Sequence, residues 1–211
     1  MFYKRMPAPP KAGYYDIIYA DPPWPFQTYS FKGKGRGAEA HYDCMKLSDI
    51  KSIPVGAWSK RAAVLYLWCT VPHLKQGIDV VEAWGFSYKS NIVWHKIRKD
   101  GGSDGRGVGF YFRNVTELLL FGVRGKNART EEPGRSQVNY VSSRKREHSR
   151  KPDEQYALIE RCSKGPYLEL FARGVRSGWT YWGDQAVEEY RPTWKTYDYN
   201  STIKMPERSA D

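Results

Sequence analysis

The chain has 211 residues, 40% of them hydrophobic, and carries 34 Lys and Arg against 23 Asp and Glu, a formal net charge of +11. That length suits one domain with a sizeable core, and the excess of cations favours a polyanionic partner, nucleic acid ahead of an anionic membrane. The longest apolar run, Ala62 to Trp68, is too short to cross a bilayer. No secretory leader is legible at Met1-Phe2-Tyr3-Lys4, and neither a disulfide framework nor a zinc site is indicated by three scattered cysteines without a CxxC pair. The expectation is an intracellular, cytoplasmic, metal-free protein of a single domain spanning 1–211. Its core runs from about 14 to 190, with irregular segments at 1–13 and 191–211.

In chain order, Tyr15 to Ala20 reads as a strand stopped by Pro22 and Pro23. A polar loop over 27–40 holds Lys32, Lys34 and Arg36 interleaved with glycine, and Leu47 to Ile53 is a short helix closed by Pro54. Ala62 to Trp68 is a strand buried on both faces. Leu74, Ile78, Val81 and Trp84 fall at helical spacing ahead of Gly85, where a helix would stop. Tyr88 to His95 and Val115 to Val123 are further strands, separated by a glycine-rich loop over 99–110. Arg124 to Lys151, basic and poor in aliphatics, reads as a second long loop. Pro152-Asp153-Glu154 opens a helix whose Tyr156, Ile159 and Cys162 face the core and which Gly165-Pro166 ends. Tyr167 to Ala172 and Trp179 to Trp182 are the last strands. Strands alternating with helices predict an α/β fold, a mostly parallel sheet with helices on both faces, and ligands beyond the carboxyl ends of its strands.

Asp21-Pro22-Pro23-Trp24 directly follows the first buried strand. An adenine amino nitrogen is a poor nucleophile because its lone pair is delocalised into the ring. A carboxylate and a proline carbonyl that accept hydrogen bonds from the NH₂ localise that pair and aim it at an electrophilic methyl group. The two prolines supply rigidity and carbonyls without a competing local turn, and Trp24 offers a stacking face for an extruded base. Arg173 ends a strand, where a guanidinium grips a carboxylate bidentately. Lys151 precedes a helix N-terminus, a position that suits carboxylate or phosphate contact. Lys32 to Gly37 is no phosphate-binding P-loop, since it lacks the GKS/GKT ending and the strand–helix context.

With Asp21-Pro22-Pro23-Trp24, His148-Ser149-Arg150-Lys151-Pro152-Asp153-Glu154, Glu169-Leu170-Phe171-Ala172-Arg173 and Trp179 followed by Gly183-Asp184-Gln185, the chain resembles the DPPW-motif (MT-A type) adenine-N6 methyltransferases from about Tyr15 to Gln185. That family includes the catalytic subunit of the eukaryotic mRNA adenosine methyltransferase and many bacterial and phage relatives. The resemblance implies a Rossmann-like fold, S-adenosylmethionine as donor, no metal, and a permuted order in which the catalytic motif precedes the donor-binding strand. It implies catalytic roles for Asp21, Pro22, Pro23 and Trp24, and donor contacts from Asp21, Lys151, Glu169, Arg173, Asp184 and Gln185. Asp184 and Gln185 resemble the ribose-binding pair, with Asp where the family more often has Asn, and Glu169 could serve the same ribose. Leu168 to Arg173 resembles a degenerate form of the glycine-rich donor element.

For the nucleic acid, Lys32, Lys34 and Arg36 suit phosphate contacts that give affinity without sequence information. Tyr42 resembles a family aromatic near the target base. Residues 106–114, with Arg106, Tyr111, Phe112 and Arg113, either contact substrate or fold over the donor. DNA is the expected substrate, by likeness to compact bacterial and phage members, with RNA as the alternative. A non-catalytic nucleic-acid-binding subunit is a further reading that the intact Asp21, Lys151 and Arg173 disfavour, and the basic charge disfavours a small-molecule substrate. Monomer and homodimer stay open.

Overall fold

The computed structural model describes residues 8–25, 44–105, 111–126, 128–132, 134–144, 150–183 and 186. Seven strands form one sheet in the order β5-β3-β4-β2-β1-β6-β7: β1 Tyr15–Ala20, β2 Ser59–Thr70, β3 Ser87–Ile97, β4 Thr116–Arg124, β5 Tyr140–Arg144, β6 Tyr167–Leu170 and β7 Trp179–Trp182. β1 pairs in parallel with β2 and β6, β6 with β7, and β3 with β5. β4 alone runs antiparallel to both its neighbours, β2 and β3. The sheet is therefore mostly parallel, as expected of this α/β pattern, with one reversed strand inside it.

The helices are α1 Leu47–Ser52, α2 Val55–Trp58, α3 Leu74–Ala83 and α4 Glu154–Cys162. α1, α2 and α3 supply Ile50, Val55, Trp58, Val80 and Val81 to a core on one face of the sheet, with Ile18, Leu65, Leu67, Leu120 and Leu168 beneath them. α4 covers the other face, where Leu158, Ile159 and Cys162 pack with Ile17, Tyr19, Tyr66, Trp68 and Trp179. The run Ala63 to Cys69 is buried throughout because each face of β2 has its own cover. Gly85, at φ +84°, makes the left-handed turn that ends α3. No helix among the described residues is long and apolar enough to cross a membrane.

Three elements correct the sequence reading. The stretch from Arg124 to Lys151 is not all loop: Tyr140–Arg144 adds to β3 as a fifth strand, and Gly134–Ser136 is a 3-10 turn. Besides the buried Val141, a buried polar contact holds β5. Trp94 Nε1 donates to Ser143 Oγ at 2.9 Å, and Ser143 is fully buried. A buried indole N–H left without an acceptor is costly. The other omission is α2, a single turn.

Candidate active site

The carboxyl ends of β1, β2, β6 and β7 lie at one rim of the sheet. Because β4 is reversed, its beginning lies there too, with Glu117 registered opposite Thr70 of β2 and Trp94 of β3. Asp21 leaves the end of β1, the strand flanked by β2 and β6. Its carboxylate is 24% exposed and its Oδ2 takes a hydrogen bond from Lys151 Nζ at 2.8 Å. Lys151 Nζ is also 3.5 Å from Glu117 Oε2, and Lys96 pairs with Oε1 of the same carboxylate. Cations and anions thus alternate along the rim as Lys96, Glu117, Lys151 and Asp21.

The balance differs between the two acids. Burial raises the pKa of Asp21; Lys151 opposes the rise through its charge and hydrogen bond, Glu117 adds to it, and Arg173 draws it down slightly. Burial pushes Glu117 up as well, but Lys151 and Lys96 together outweigh it and hold that carboxyl below its usual value. Glu117 is therefore the firmly charged acid of the pair, and Asp21 the one whose charge depends on Lys151.

The indole of Trp24 is 7% exposed. Its Nε1 donates to the Trp68 carbonyl at 2.9 Å, and its ring stacks on His73 at 6.0 Å between centroids with 20° between planes. The expectation of an open stacking face is corrected here: one face is taken by His73, and the N–H requires a buried acceptor. Trp24 locks the loop rather than presenting itself. His73 holds the same loop from outside, with Nε2 2.9 Å from the Pro25 carbonyl and Nδ1 2.7 Å from Thr70 Oγ1. A carbonyl only accepts, so Nε2 carries hydrogen.

The proline carbonyls are also not idle. Pro22 O accepts from Trp24 N–H at 2.9 Å, and Pro23 O from Met45 N–H at 3.0 Å. The first bond closes a three-residue turn centred on Pro23, whose ring restricts φ to the range such a turn needs. Each carbonyl keeps a second lone pair for a further donor.

Trp68 joins the two halves of the site. Its carbonyl accepts from Trp24, its ring lies under Lys151 Nζ at 5.7 Å, and its Nε1 donates to Tyr19 Oη at 2.8 Å. Gln155 Nε2 donates to the same phenol oxygen. Next to Tyr19 in the sheet, Glu169 accepts the hydroxyl of Tyr156 on both oxygens, at 2.9 and 3.0 Å. Burial raises its pKa to about 7; Tyr156 opposes the rise, Asp21 reinforces it, and Arg176 opposes it. Arg173 is exposed beyond β6. β6 stops there because Phe171 turns left-handed at φ +61° while its N–H bonds Trp182 O at 2.6 Å. Gly183 packs so closely that a Cβ would lie 2.5 Å from Ala172 O, which explains glycine at that strand end.

The structure thus brings Asp21, Pro22, Pro23, Trp24, Lys151, Glu169 and Arg173 to one rim. Lys151 faces two carboxylates of the chain itself rather than the start of α4. Arg113 is exposed on the connection between β3 and β4. Asp184, Gln185, Lys32, Lys34, Arg36, Tyr42 and Arg106 lie outside the described residues. Glu117, Lys96, Trp68 and His73 were missed by sequence reasoning. Only the strand reversal shows that Glu117 opens β4 at the site, whereas the register of β2 places Thr70, three residues from His73, beside it.

The model of the MT-A70 family matches residues 15–185. Type II methyltransferase M.MunI of a Mycoplasma species is 29% identical over 189 residues, 80% of this chain and 76% of the relative. A Medicago truncatula protein named as a putative N(6)-adenosine-methyltransferase MT-A70-like is 31% identical over 82% of this chain, but the match spans only 26% of that protein. The human N(6)-adenosine-methyltransferase catalytic subunit METTL3 is 28% identical over 82% of this chain and 28% of its own length. A family match over the whole sheet, from β1 to the end of β7, has one meaning: this chain is a methyltransferase of the MT-A70 family.

Proposed function

We propose that the chain transfers the methyl group of S-adenosylmethionine to the exocyclic N6 amino group of adenine in DNA, with Asp21, Pro22, Pro23 and Trp24 at the catalytic centre. The observation that carries this reading is the grip of Lys151 on Asp21. It fixes Oδ2 at the end of β1, while among the described residues no donor reaches the second oxygen. That oxygen accepts from the adenine NH₂ and leaves the nitrogen lone pair out of conjugation. The second lone pair of the Pro22 carbonyl serves the other N–H, and the Trp24–His73 stack keeps both acceptors in place.

The residues at the rim fit the donor. Arg173 is an exposed cation close enough to Asp21 to influence its charge, and so suits a methionyl carboxylate. Glu169, with a carboxyl that titrates at about 7, accepts from ribose hydroxyls or from the donor's ammonium. Asp184 and Gln185, next after Gly183 in the sequence, are the proposed ribose contacts. When bound, S-adenosylmethionine supplies a methyl group on a positively charged sulfur. The acids of the rim also stabilise positive charge on the amino nitrogen as it is alkylated.

For the nucleic acid, the net charge of +11 supports a polyanion, and Lys32, Lys34, Arg36, Tyr42, Arg106 and Arg113 are the proposed contacts. DNA is preferred because the bacterial relative aligns over most of its length. RNA is the second reading, favoured by the relatives named as N(6)-adenosine-methyltransferases. Labelled donor incubated with matched DNA and RNA oligonucleotides, followed by nucleoside analysis, tests this. N6-methyldeoxyadenosine from DNA is the expected product. N6-methyladenosine from RNA alone selects the second reading, and no transfer to either with retained binding selects a non-catalytic subunit.

A further inference from the structure

The connection from β3 to β4 leaves and re-enters the sheet at the rim that carries Asp21, since His95 registers with Thr116 and Glu117 with Thr70. Its stem is pinned. His95 bonds Tyr140 Oη at 2.8 Å through Nδ1 and Ser103 Oγ at 2.9 Å through Nε2. Arg98 grips Asp100 with two bonds of 3.1 and 2.9 Å, Asp104 N–H returns to Lys96 O at 2.9 Å, and Lys96 N–H to Val115 O at 2.8 Å. Within this connection Tyr111 and Phe112 are 93% and 85% exposed, well above the next large hydrophobic side chain among the described residues, Val138 at 64%. Arg113, also exposed, follows them.

Two adjacent aromatic rings left in water on a connection that joins two strands at the acceptor rim, in a strongly basic chain, have a definite use. Every base offers a π-face to such rings, and an arginine beside them reaches the phosphates. An adenine inside a duplex must leave the stack before its amino group can meet Asp21, and the gap it leaves is unfavourable unless something fills it. We propose that Tyr111 and Phe112 form an aromatic wedge that enters duplex DNA beside the target adenine and stabilises the extruded base. The wedge rests on the nucleic-acid reading above and goes beyond it by naming the duplex as the form engaged. Trp24, held under His73, is thereby relieved of the stacking role.

The Tyr111→Ala, Phe112→Ala double variant tests it, since two exposed side chains leave the fold intact and thermal melting verifies this. Initial rates of methyl transfer from labelled donor are measured on unmethylated plasmid DNA, native and heat-denatured, for the wild type and the variant. The variant is expected to lose about tenfold or more on native DNA, the scale of one lost base–aromatic stack. That loss exceeds its loss on denatured DNA at least fivefold, and Phe112→Trp retains most of the native-DNA rate. Equal losses on the two forms, or none, overturn the wedge. A wild type active only on single strands overturns it while leaving the methyltransferase reading intact, and a wild type inactive on every nucleic acid removes both.

Discussion

Lys151 Nζ stands 2.8 Å from Asp21 Oδ2 and 3.5 Å from Glu117 Oε2, so one cation, 130 residues from Asp21 in the chain, holds two carboxylates, one just past the end of β1 and one on β4. Burial drives the pKa of Asp21 up and Lys151 is the main opposing influence; without it the charge of Glu117 pushes further upward. Methyl transfer that needs a charged Asp21 fails as pH falls through that pKa. Lys151→Met therefore moves the acid limb of the rate profile to higher pH, besides lowering the plateau. Rates from pH 5 to 9 with labelled donor check the direction, and a limb that stays put removes Asp21 as its source.

Asp21→Ala is expected to reduce methyl transfer by about 10² to 10³, the usual loss when a pre-organised polar contact at a reacting centre is removed. Donor binding, measured by calorimetry, largely survives because Arg173 and Glu169 remain. Near-normal turnover by a folded variant would exclude the proposed role of the carboxylate.

His73 positions the motif without touching the reacting atoms. Its ring stacks on Trp24 and its Nε2 holds the Pro25 carbonyl. His73→Ala lets the loop shift, and misplacement of about 1 Å costs as much as 10² in rate. We expect kcat to fall about tenfold or more while donor KM stays within twofold. His73→Gln, whose amide donates to the same carbonyl, recovers part of the loss. Loss in KM alone would assign His73 to binding instead.

Glu169 links the site to stability. Its carboxyl titrates at about 7 in the folded chain against the usual 4.5. A raised folded value means that its contribution to stability is fully present below 4.5 and is lost as pH rises through 7. Glu169→Gln keeps an acceptor for the Tyr156 hydroxyl and removes the buried charge. It is expected to stabilise the protein at pH 8 by on the order of 1–3 kcal/mol and to flatten the pH dependence between 4.5 and 7. Thermal unfolding of both proteins at pH 5 and 8 reads this out, and a variant less stable at pH 8 contradicts it.

The basic stretch is tested by replacing Lys32, Lys34 and Arg36 together with Ala. Affinity for DNA falls alike for all sequences, and the salt dependence flattens, since each phosphate contact releases about 0.9 counterion on duplex DNA. Fluorescence anisotropy at several salt concentrations measures the slope. An unchanged slope turns attention to Arg144, Lys145 and Arg146.

The elements that bury apolar side chains were legible because burial leaves a pattern: the unbroken run in β2, the helical spacing in α3, Gly85 at its end. β5 left none. Tyr140-Val-Ser-Ser-Arg144 is held by main-chain pairing with β3 and by the acceptor that Ser143 gives Trp94, and neither shows as hydrophobic periodicity. Strand direction is equally silent, since β4 would carry the same apolar residues whichever way it ran. Glu117 therefore passed as a strand position rather than a site residue. The DPPW motif was legible as a site, but not the packing of Trp24, because a ring's exposure is decided by His73 and Trp68, far away in sequence.

The reversal of β4 divides the labour of the sheet. β1, β6 and β7 lie together on the far side of β2 and carry the acids and the arginine proposed to meet the donor. β3 and β4 form a hairpin whose connecting segment springs from the same rim. A hairpin tip grows or shrinks without displacing any strand, because both its legs are already registered against neighbours. On the proposed function, the molecule has a fixed half for the reagent common to every turnover and an exchangeable half for the polymer being read. Grafting the 98–115 segment of a relative onto this frame is a route to a new target preference that leaves the acceptor carboxylate and its lysine where they stand.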